Sequence, residues 1–177
     1  MNISNSLKQH LGPNSYDDKA ERVALKKFLS TNKDFQKFVV NQFGITTPVD
    51  LIFDPLGEYK VDAGIIQNGN LIGLLEVDYY KKWNPFWPHN YRYCHALVRK
   101  LKYWKENNLP YIGCTFNMQH DKILASTNEM QEDYMYTKKK KNVQLNGKWV
   151  DDWFLEIPLS LAKKFGSWTT EELKRVS

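Results

Sequence analysis

The apolar positions of the chain first follow a helical repeat. Between residues 16 and 43 they recur every three or four positions, which predicts either one broken helix or two short helices. The polar triplet at 30–32 interrupts this repeat, Asp34 is a candidate cap for a second helix, and Gly44 is typical of a helix end. The apolar side chains of this stripe include Ala20, Leu25, Phe28, Phe35, Phe38 and Phe43.

The pattern then changes to that of extended strands. Residues 49–53 and 59–67 predict two strands, and residues 71–80 predict a third with the nearly continuous apolar start of a buried central strand. Asn68-Gly69-Asn70, between the second and third strands, is a strong local hairpin signal. The second and third strands are therefore predicted to be antiparallel neighbours.

The second half of the chain gives a less regular pattern. It predicts a helix over 91–107, a fourth strand over 111–116, a hairpin of 134–145 with 148–157 about Asn146-Gly147, and short helices over 159–165 and 170–175. These elements predict one domain spanning 1–177, with an irregular tail over 1–14. The fold class is α/β, or α+β, with a mixed sheet.

Three carboxylates interrupt the two strands of the predicted hairpin. Asp62 and Glu76 are each seven residues from Gly69, so a regular hairpin sets them opposite each other with Cβ atoms about 4.5–5.5 Å apart. Asp78 shares a strand face with Glu76, because side chains alternate along a strand. Two carboxylates this close repel each other. A divalent cation, Mg²⁺ or Mn²⁺, would relieve the repulsion, and Mg²⁺ needs only one or two protein carboxylates.

This order of elements, with its acids, resembles the core of the PD-(D/E)XK nuclease superfamily, the restriction-endonuclease-like fold. The resemblance covers about residues 17–117 and implies metal ligation by Asp62 and Glu76. It assigns Glu21, on the first helix, as a supplementary metal ligand, with Asp18 as the competing choice. The departure is Asp78, which stands where the family carries lysine. Asp78 is then a further metal ligand or a base that orients water.

The missing lysine needs a substitute elsewhere. Lys82 has the right strand parity, but four residues along a strand span about 13 Å, which is too far. The predicted helix over 91–107 offers His95 and Lys100 as the preferred choices, with Arg99 and Lys102 also on its surface. In the resemblance, such a residue joins Asp62, Glu76 and Asp78 in catalysis.

Basic residues flank the acids. The chain carries a net charge of +5, and the stretch 81–105 contains basic side chains and no acid. Any single lysine is most often a solvated surface group, but two basic segments favour a polyanionic partner. The candidate nucleic-acid contacts are Lys81, Lys82, Arg92, Arg99, Lys102, Lys138, Lys139, Lys140 and Lys141. The aromatic residues between the third strand and its helix are a further option for base stacking.

The favoured function is that of a Mg²⁺- or Mn²⁺-dependent endonuclease of DNA, of a restriction-like, homing-type or junction-cleaving kind, with RNA as an open alternative. A homodimer fits, since cutting both strands commonly needs two active sites. Asp78 in place of lysine favours a second interpretation, a binding module that keeps the fold without the chemistry. An unrelated α+β fold is the third.

The two cysteines and the absence of a long apolar segment predict a cytoplasmic protein with free thiols.

Overall fold

A computed structural model describes residues 20–58, 60–145 and 148–177. The helical repeat forms two helices, α1 (Ala20–Thr31) and α2 (Lys33–Phe43), separated at Asn32. The prediction that Asp34 caps the second helix is wrong. Asn32 is the cap, and its side chain accepts a hydrogen bond from the Phe35 backbone N–H at 2.9 Å. Gly44 ends α2 with a φ of 63°, as predicted. The tail proposed for 1–14 lies outside the described residues.

The three predicted strands are present as β1 (Val49–Phe53), β2 (Ala63–Gln67) and β3 (Asn70–Tyr79). The hairpin between β2 and β3 is confirmed, with Asn68 and Gly69 both at positive φ, 52° and 77°. This is the backbone that a two-residue primed turn requires. β2 begins four residues later than predicted, so Asp62 lies immediately before the strand.

The helix predicted over 91–107 is wrong in its first part. Residues Tyr93–Leu97 form strand β4, and helix α3 covers only Val98–Asn107. β4 pairs antiparallel with β8 (Lys148–Pro158), a strand more than 50 positions later. Cys94 and Ala96 are both buried in this pairing. The distant partner strand overrides the local helical pattern.

The remaining elements extend the predicted set. They are β5 (Tyr111–Phe116), β6 (Lys122–Thr127), α4 (Asn128–Asp133), a 3₁₀ turn (Met135–Thr137), β7 (Lys139–Leu145), β8 (Lys148–Pro158), β9 (Lys163–Gly166) and α5 (Thr170–Val176). β5, the β7–β8 pairing and α5 confirm predictions, although β7 begins five residues later than expected. The helix predicted over 159–165 is wrong, because β9 occupies its second half and pairs with β6. β6, α4 and β9 were not predicted.

Two sheets organise the described residues. The larger is mixed, with the order β1-β2-β3-β5-β6-β9, in which β3 and β5 run parallel and the other neighbours are antiparallel. The smaller has the order β4-β8-β7. The predicted class, α/β with a mixed sheet, is therefore confirmed. No described helix has the length and apolar character needed to cross a membrane.

The central strand β3 divides the interior into two cores. Leu75 and Val77 point to one face, where they join the core formed with α1 and α2. Leu74 points to the other face and joins a second core that includes Leu155 and Ile157 of β8. Glu76 and Asp78 share the parity of Leu74. They therefore point toward the smaller sheet.

Candidate active site

A cleft of about 390 Å³ lies between the two sheets. Glu76 and Asp78 line its wall on the larger sheet, and His95, Lys141 and Phe154 line the wall on the smaller sheet. His95 was expected on a helix next to the acids. It instead belongs to β4 and faces them across the cleft, because residues 93–97 form a strand.

Asp62 and Glu76 lie side by side, as the hairpin predicted. Ala63 pairs with Leu75 in the sheet, so the next residues outward are Asp62 and Glu76. The Asp62 backbone N–H donates to Glu76 Oε2 at 3.3 Å, and the Val77 backbone N–H donates to Asp62 Oδ2 at 3.0 Å. Each carboxylate is thus fixed by the backbone of the opposite strand.

Lys100 completes this arrangement. It lies in the first turn of α3, and its Nζ is 2.7 Å from Glu76 Oε1 and donates to the Lys60 carbonyl oxygen at 2.5 Å. Its side chain is only 6% exposed. Of the two basic residues preferred in the sequence analysis, the structure brings Lys100, and not His95, into contact with Glu76.

Glu76 is a largely buried carboxyl on the central strand β3. Burial raises the pKa of Glu76 to about 8, and the neighbouring Asp62 carboxylate adds to the rise, while Lys100 opposes it. Desolvation also raises the pKa of Asp78. That effect weighs less for Asp78, because its side chain is exposed at the end of β3. Glu76 is therefore the carboxyl on which burial and repulsion by Asp62 act together.

Asp62 opens onto a different surface from Glu76. It lines a shallow groove of about 580 Å³ together with Glu21, Arg22, Tyr79 and His120. The four predicted acids are thus divided, with Glu76 and Asp78 in the cleft and Asp62 and Glu21 in the groove. Among the described residues, no group of three or more His, Cys, Asp or Glu side chains is arranged to hold a metal ion.

The pair of Asp62 and Glu76 nevertheless suits a cation. Both supply oxygen atoms, which Mg²⁺ prefers, and one or two carboxylates suffice when water completes the shell. Burial first and the Asp62 carboxylate second raise the pKa of Glu76, and a divalent cation would remove the repulsion between the two acids. The donor set therefore fits a two-carboxylate Mg²⁺ site better than a site with three or four protein ligands.

Arg22 is a site residue that the sequence analysis did not single out. It is only 2% exposed, and its guanidinium forms two hydrogen bonds to Asp54, at 2.7 and 3.0 Å. Its Nη2 also lies 3.9 Å from Asp62 Oδ1. The available signal was its position three residues before Leu25, on the apolar face of α1. A buried arginine on such a face requires acidic partners.

Comparisons with protein-family models, curated proteins and solved structures found no match for this chain.

The predicted basic contacts fall into two groups. Several are already paired with protein groups: Arg92 with the Arg175 carbonyl, Arg99 with Asp152, Lys102 with the Tyr103 ring, Lys138 with the Trp153 ring, Lys139 with Glu156 and Lys140 with Asp151. Lys81 and Lys82 are exposed after β3, and Lys82 also lines the cleft. Lys141 points into the cleft beside His95. The run at 138–141 therefore divides between the two faces of β7, since neighbours on a strand point to opposite sides.

Glu76 gives the protein a pH-dependent stability in the absence of divalent metal. Its folded pKa, about 8, lies above its ordinary value of 4.5, so the folded state retains a proton that the unfolded chain releases between these values. We expect the free energy of unfolding to fall as the pH rises through this window, by up to about 1.4 kcal/mol per pH unit. Urea denaturation in EDTA at pH 5.5 and pH 8.5 measures the change. In Glu76→Gln the free energy of unfolding should depend much less on pH. An unchanged dependence on pH in that variant would assign the effect to another group.

Proposed function

We propose that this protein is a divalent-metal-dependent nuclease that hydrolyses phosphodiester bonds in nucleic acid, with DNA as the first substrate to test and RNA as the second. The observation that carries the proposal is the contact group of Asp62, Glu76 and Lys100. It combines two adjacent carboxylates with one buried ammonium group at 2.7 Å from Glu76. The carboxylates can hold a cation and the ammonium group is itself positive, so both suit a reaction in which negative charge develops on a phosphate.

The proposed metal ligands are the Asp62 and Glu76 carboxylates, while Asp78 in the cleft and Glu21 in the groove lie outside this pair. Mg²⁺ or Mn²⁺ bound there supplies activation of water and stabilisation of charge at the phosphate. Lys100 has two roles in the proposal. It orients Glu76 through the contact at Oε1, and it contributes positive charge beside the scissile group. Asp78, exposed at the end of β3, accepts the proton that the attacking water loses.

The order of elements supports a restriction-endonuclease-like core as part of the proposal. Helices precede a hairpin that carries Asp62 and Glu76, and α3 then leads to β5, which runs parallel to β3. In this proposal Lys100 of α3, in contact with Glu76, substitutes for the strand lysine of that family. Two features depart from that pattern: Asp78 replaces the strand lysine, and β4 is inserted before α3.

One observation favours the alternative of a binding module without catalysis. Lys100 already pairs with Glu76, and Arg22 lies 3.9 Å from Asp62. Protein cations thus occupy part of the space around both acids and reduce the need for a metal. In this alternative the acids and cations hold the hairpin to α1 and α3, and nucleic acid binds without cleavage.

A cleavage assay separates the two functions. Single-stranded, duplex and branched DNA and matched RNA are incubated with the full chain in Mg²⁺, Mn²⁺, Ca²⁺ or EDTA, at pH 7 and pH 8.5. The nuclease proposal expects products with Mg²⁺ or Mn²⁺ and none with EDTA, and a rate that rises with pH as Glu76 ionises. Binding to these substrates with no products under any metal would establish the module and refute the nuclease.

A further inference from the structure

The cleft beside Glu76 has walls of unlike chemistry. Its floor on β3 carries Glu76 and Asp78, and its opposite wall carries His95 and Lys141. The side chain of Lys141 is 33% exposed, and its Nζ lies 2.6 Å from His95 Nε2. Burial and the nearby lysine lower the pKa of His95 to about 4, so its neutral ring accepts a hydrogen bond from Lys141. A lysine is thus held at the wall facing the acids.

Lys141 shares its neighbouring carboxylate with a second lysine. Glu156 lies 3.9 Å from Lys141 Nζ, but it also accepts a close contact from Lys139 Nζ at 2.6 Å. One carboxylate therefore serves two lysines, and burial lowers the pKa of Lys141, so that an anion bound in the cleft would stabilise its charged form. A phosphate on this wall of the cleft would contact Lys141 through a charge-assisted hydrogen bond.

One end of the cleft is aromatic. Tyr80, Trp87 and Tyr91 all line it, with ring centroids 5.3 Å apart for Tyr80 and Trp87 and 5.8 Å apart for Tyr80 and Tyr91. Lys82 Nζ lies 5.8 Å from the Tyr91 ring centroid. Aromatic rings beside lysines are the arrangement on which unpaired bases stack, with little dependence on sequence.

The size of the cleft limits what can enter. The cleft has a volume of about 390 Å³. The volume lies within the range of about 300–1,000 Å³ that is typical of sites for one small molecule. A site of this size suits one nucleotide rather than a length of paired duplex.

We propose that the cleft binds one unpaired nucleotide, with its phosphate at Lys141 and its base on Tyr80, Trp87 and Tyr91. This rests on the proposed nuclease function for the identity of the substrate and narrows it. The target is a single strand, a strand end or an extruded nucleotide, and intact duplex is a poor substrate. The binding step itself uses groups that are separate from Lys100 and Asp62.

The test uses two lysines that are adjacent in β7. Lys141 points into the cleft, whereas Lys140 points outward and pairs with the exposed Asp151 at 2.7 Å. Fluorescence anisotropy with a labelled 12-nucleotide single strand and a blunt duplex of the same length is measured in Ca²⁺. We expect the single strand to bind at least ten-fold more tightly than the duplex. Lys141→Gln should lower single-strand affinity about ten-fold, the value of one charge-assisted hydrogen bond, and Lys140→Gln less than two-fold.

Two further variants keep the result interpretable. Lys141→Arg retains the charge and should recover most of the affinity, which a folding defect would not allow. Tyr91→Leu should weaken binding at least five-fold, since stacking contributes about 1–3 kcal/mol per base. Equal binding of duplex and single strand would overturn the proposal. So would a loss of affinity in Lys140→Gln and Trp153→Ala with Lys141→Gln unaffected, which would place the nucleic acid on the exposed outer face of the β7–β8 hairpin.

The outcomes also separate this proposal from the nuclease. Single-strand binding that depends on Lys141, without cleavage in Mg²⁺ or Mn²⁺, would support the nucleotide site in the cleft and refute the nuclease function. Metal-dependent cleavage of duplex that is unchanged in Lys141→Gln would support the nuclease and refute the cleft as its substrate site.

Discussion

We expect Asp62→Asn to reduce metal-dependent cleavage by at least about 10³-fold while leaving the fold intact. A metal at the phosphate supplies several kcal/mol of transition-state stabilisation, and each 1.36 kcal/mol is a factor of ten in rate. Asparagine is the informative replacement because its amide oxygen can still accept the hydrogen bond from the Val77 backbone N–H, which Asp62 Oδ2 accepts at 3.0 Å. The variant therefore removes the charge and keeps the contact between the strands.

The matched control is Asp50→Asn. Asp50 is an acid of the same sheet, in β1, and it lies outside both the cleft and the groove. Initial rates on the best substrate, in Mg²⁺ and in Mn²⁺, should be unchanged in this control. A rate for Asp62→Asn within a factor of three of the unmodified protein would remove Asp62 from the metal site. A loss of equal size in Asp50→Asn would assign the effect to reduced solubility or folding.

Local chemistry made the hairpin predictable. The Asn68-Gly69 dipeptide favours positive φ at both positions, and Gln67 pairs with Asn70 across the turn. A bulge between Ile65 and Ile66 then shifts the register by one residue, so that Ala63 pairs with Leu75 and Asp62 comes to lie beside Glu76, as counting about Gly69 predicted. This is why the central pair of the candidate site could be derived from the sequence, although neither residue is near the other along the chain.

Tertiary pairing made other elements unpredictable. In residues 91–97 the buried positions fit a strand and the start of a helix equally well, and only the pairing of β4 with β8 decides between them. β6 and β9 were missed for a related reason: β6 is buried along its whole length and shows no alternation. A strand without alternation cannot be told from a buried helical segment by its pattern alone.

The division of the acids between two surfaces also could not be predicted from the sequence. Parity places Glu76 and Asp78 on one face of β3, and this is observed. Asp62 precedes β2, where strand parity no longer applies, and its carboxylate turns to the backbone of Val77 and toward Arg22. The expected gathering of three acids around one point therefore becomes a pair, Asp62 and Glu76, with Asp78 nearer the cleft mouth.

Replacing Lys100 with methionine should destabilise the protein by about 3–5 kcal/mol at pH 9, the cost of leaving a buried charge without its partner. Lys100 Nζ lies 2.7 Å from Glu76 Oε1, and the side chains are only 6% and 12% exposed. The cost should shrink at pH 5.5, because that is below the raised pKa of Glu76, about 8, and the carboxyl is then neutral. Urea denaturation in EDTA at both pH values gives the difference.

The double variant Lys100→Met/Glu76→Gln decides whether the loss comes from the pair. Removing both charges should restore most of the stability at pH 9, leaving about 1–3 kcal/mol for the Lys60 carbonyl oxygen that loses its donor. If the double variant is as unstable as Lys100→Met alone, the packing of the lysine chain, and not its charge, holds α3 to the hairpin. Recovery of stability without recovery of metal-dependent cleavage would show that the protein retains this costly buried pair for its chemistry, since methionine and glutamine then support the fold but not the reaction.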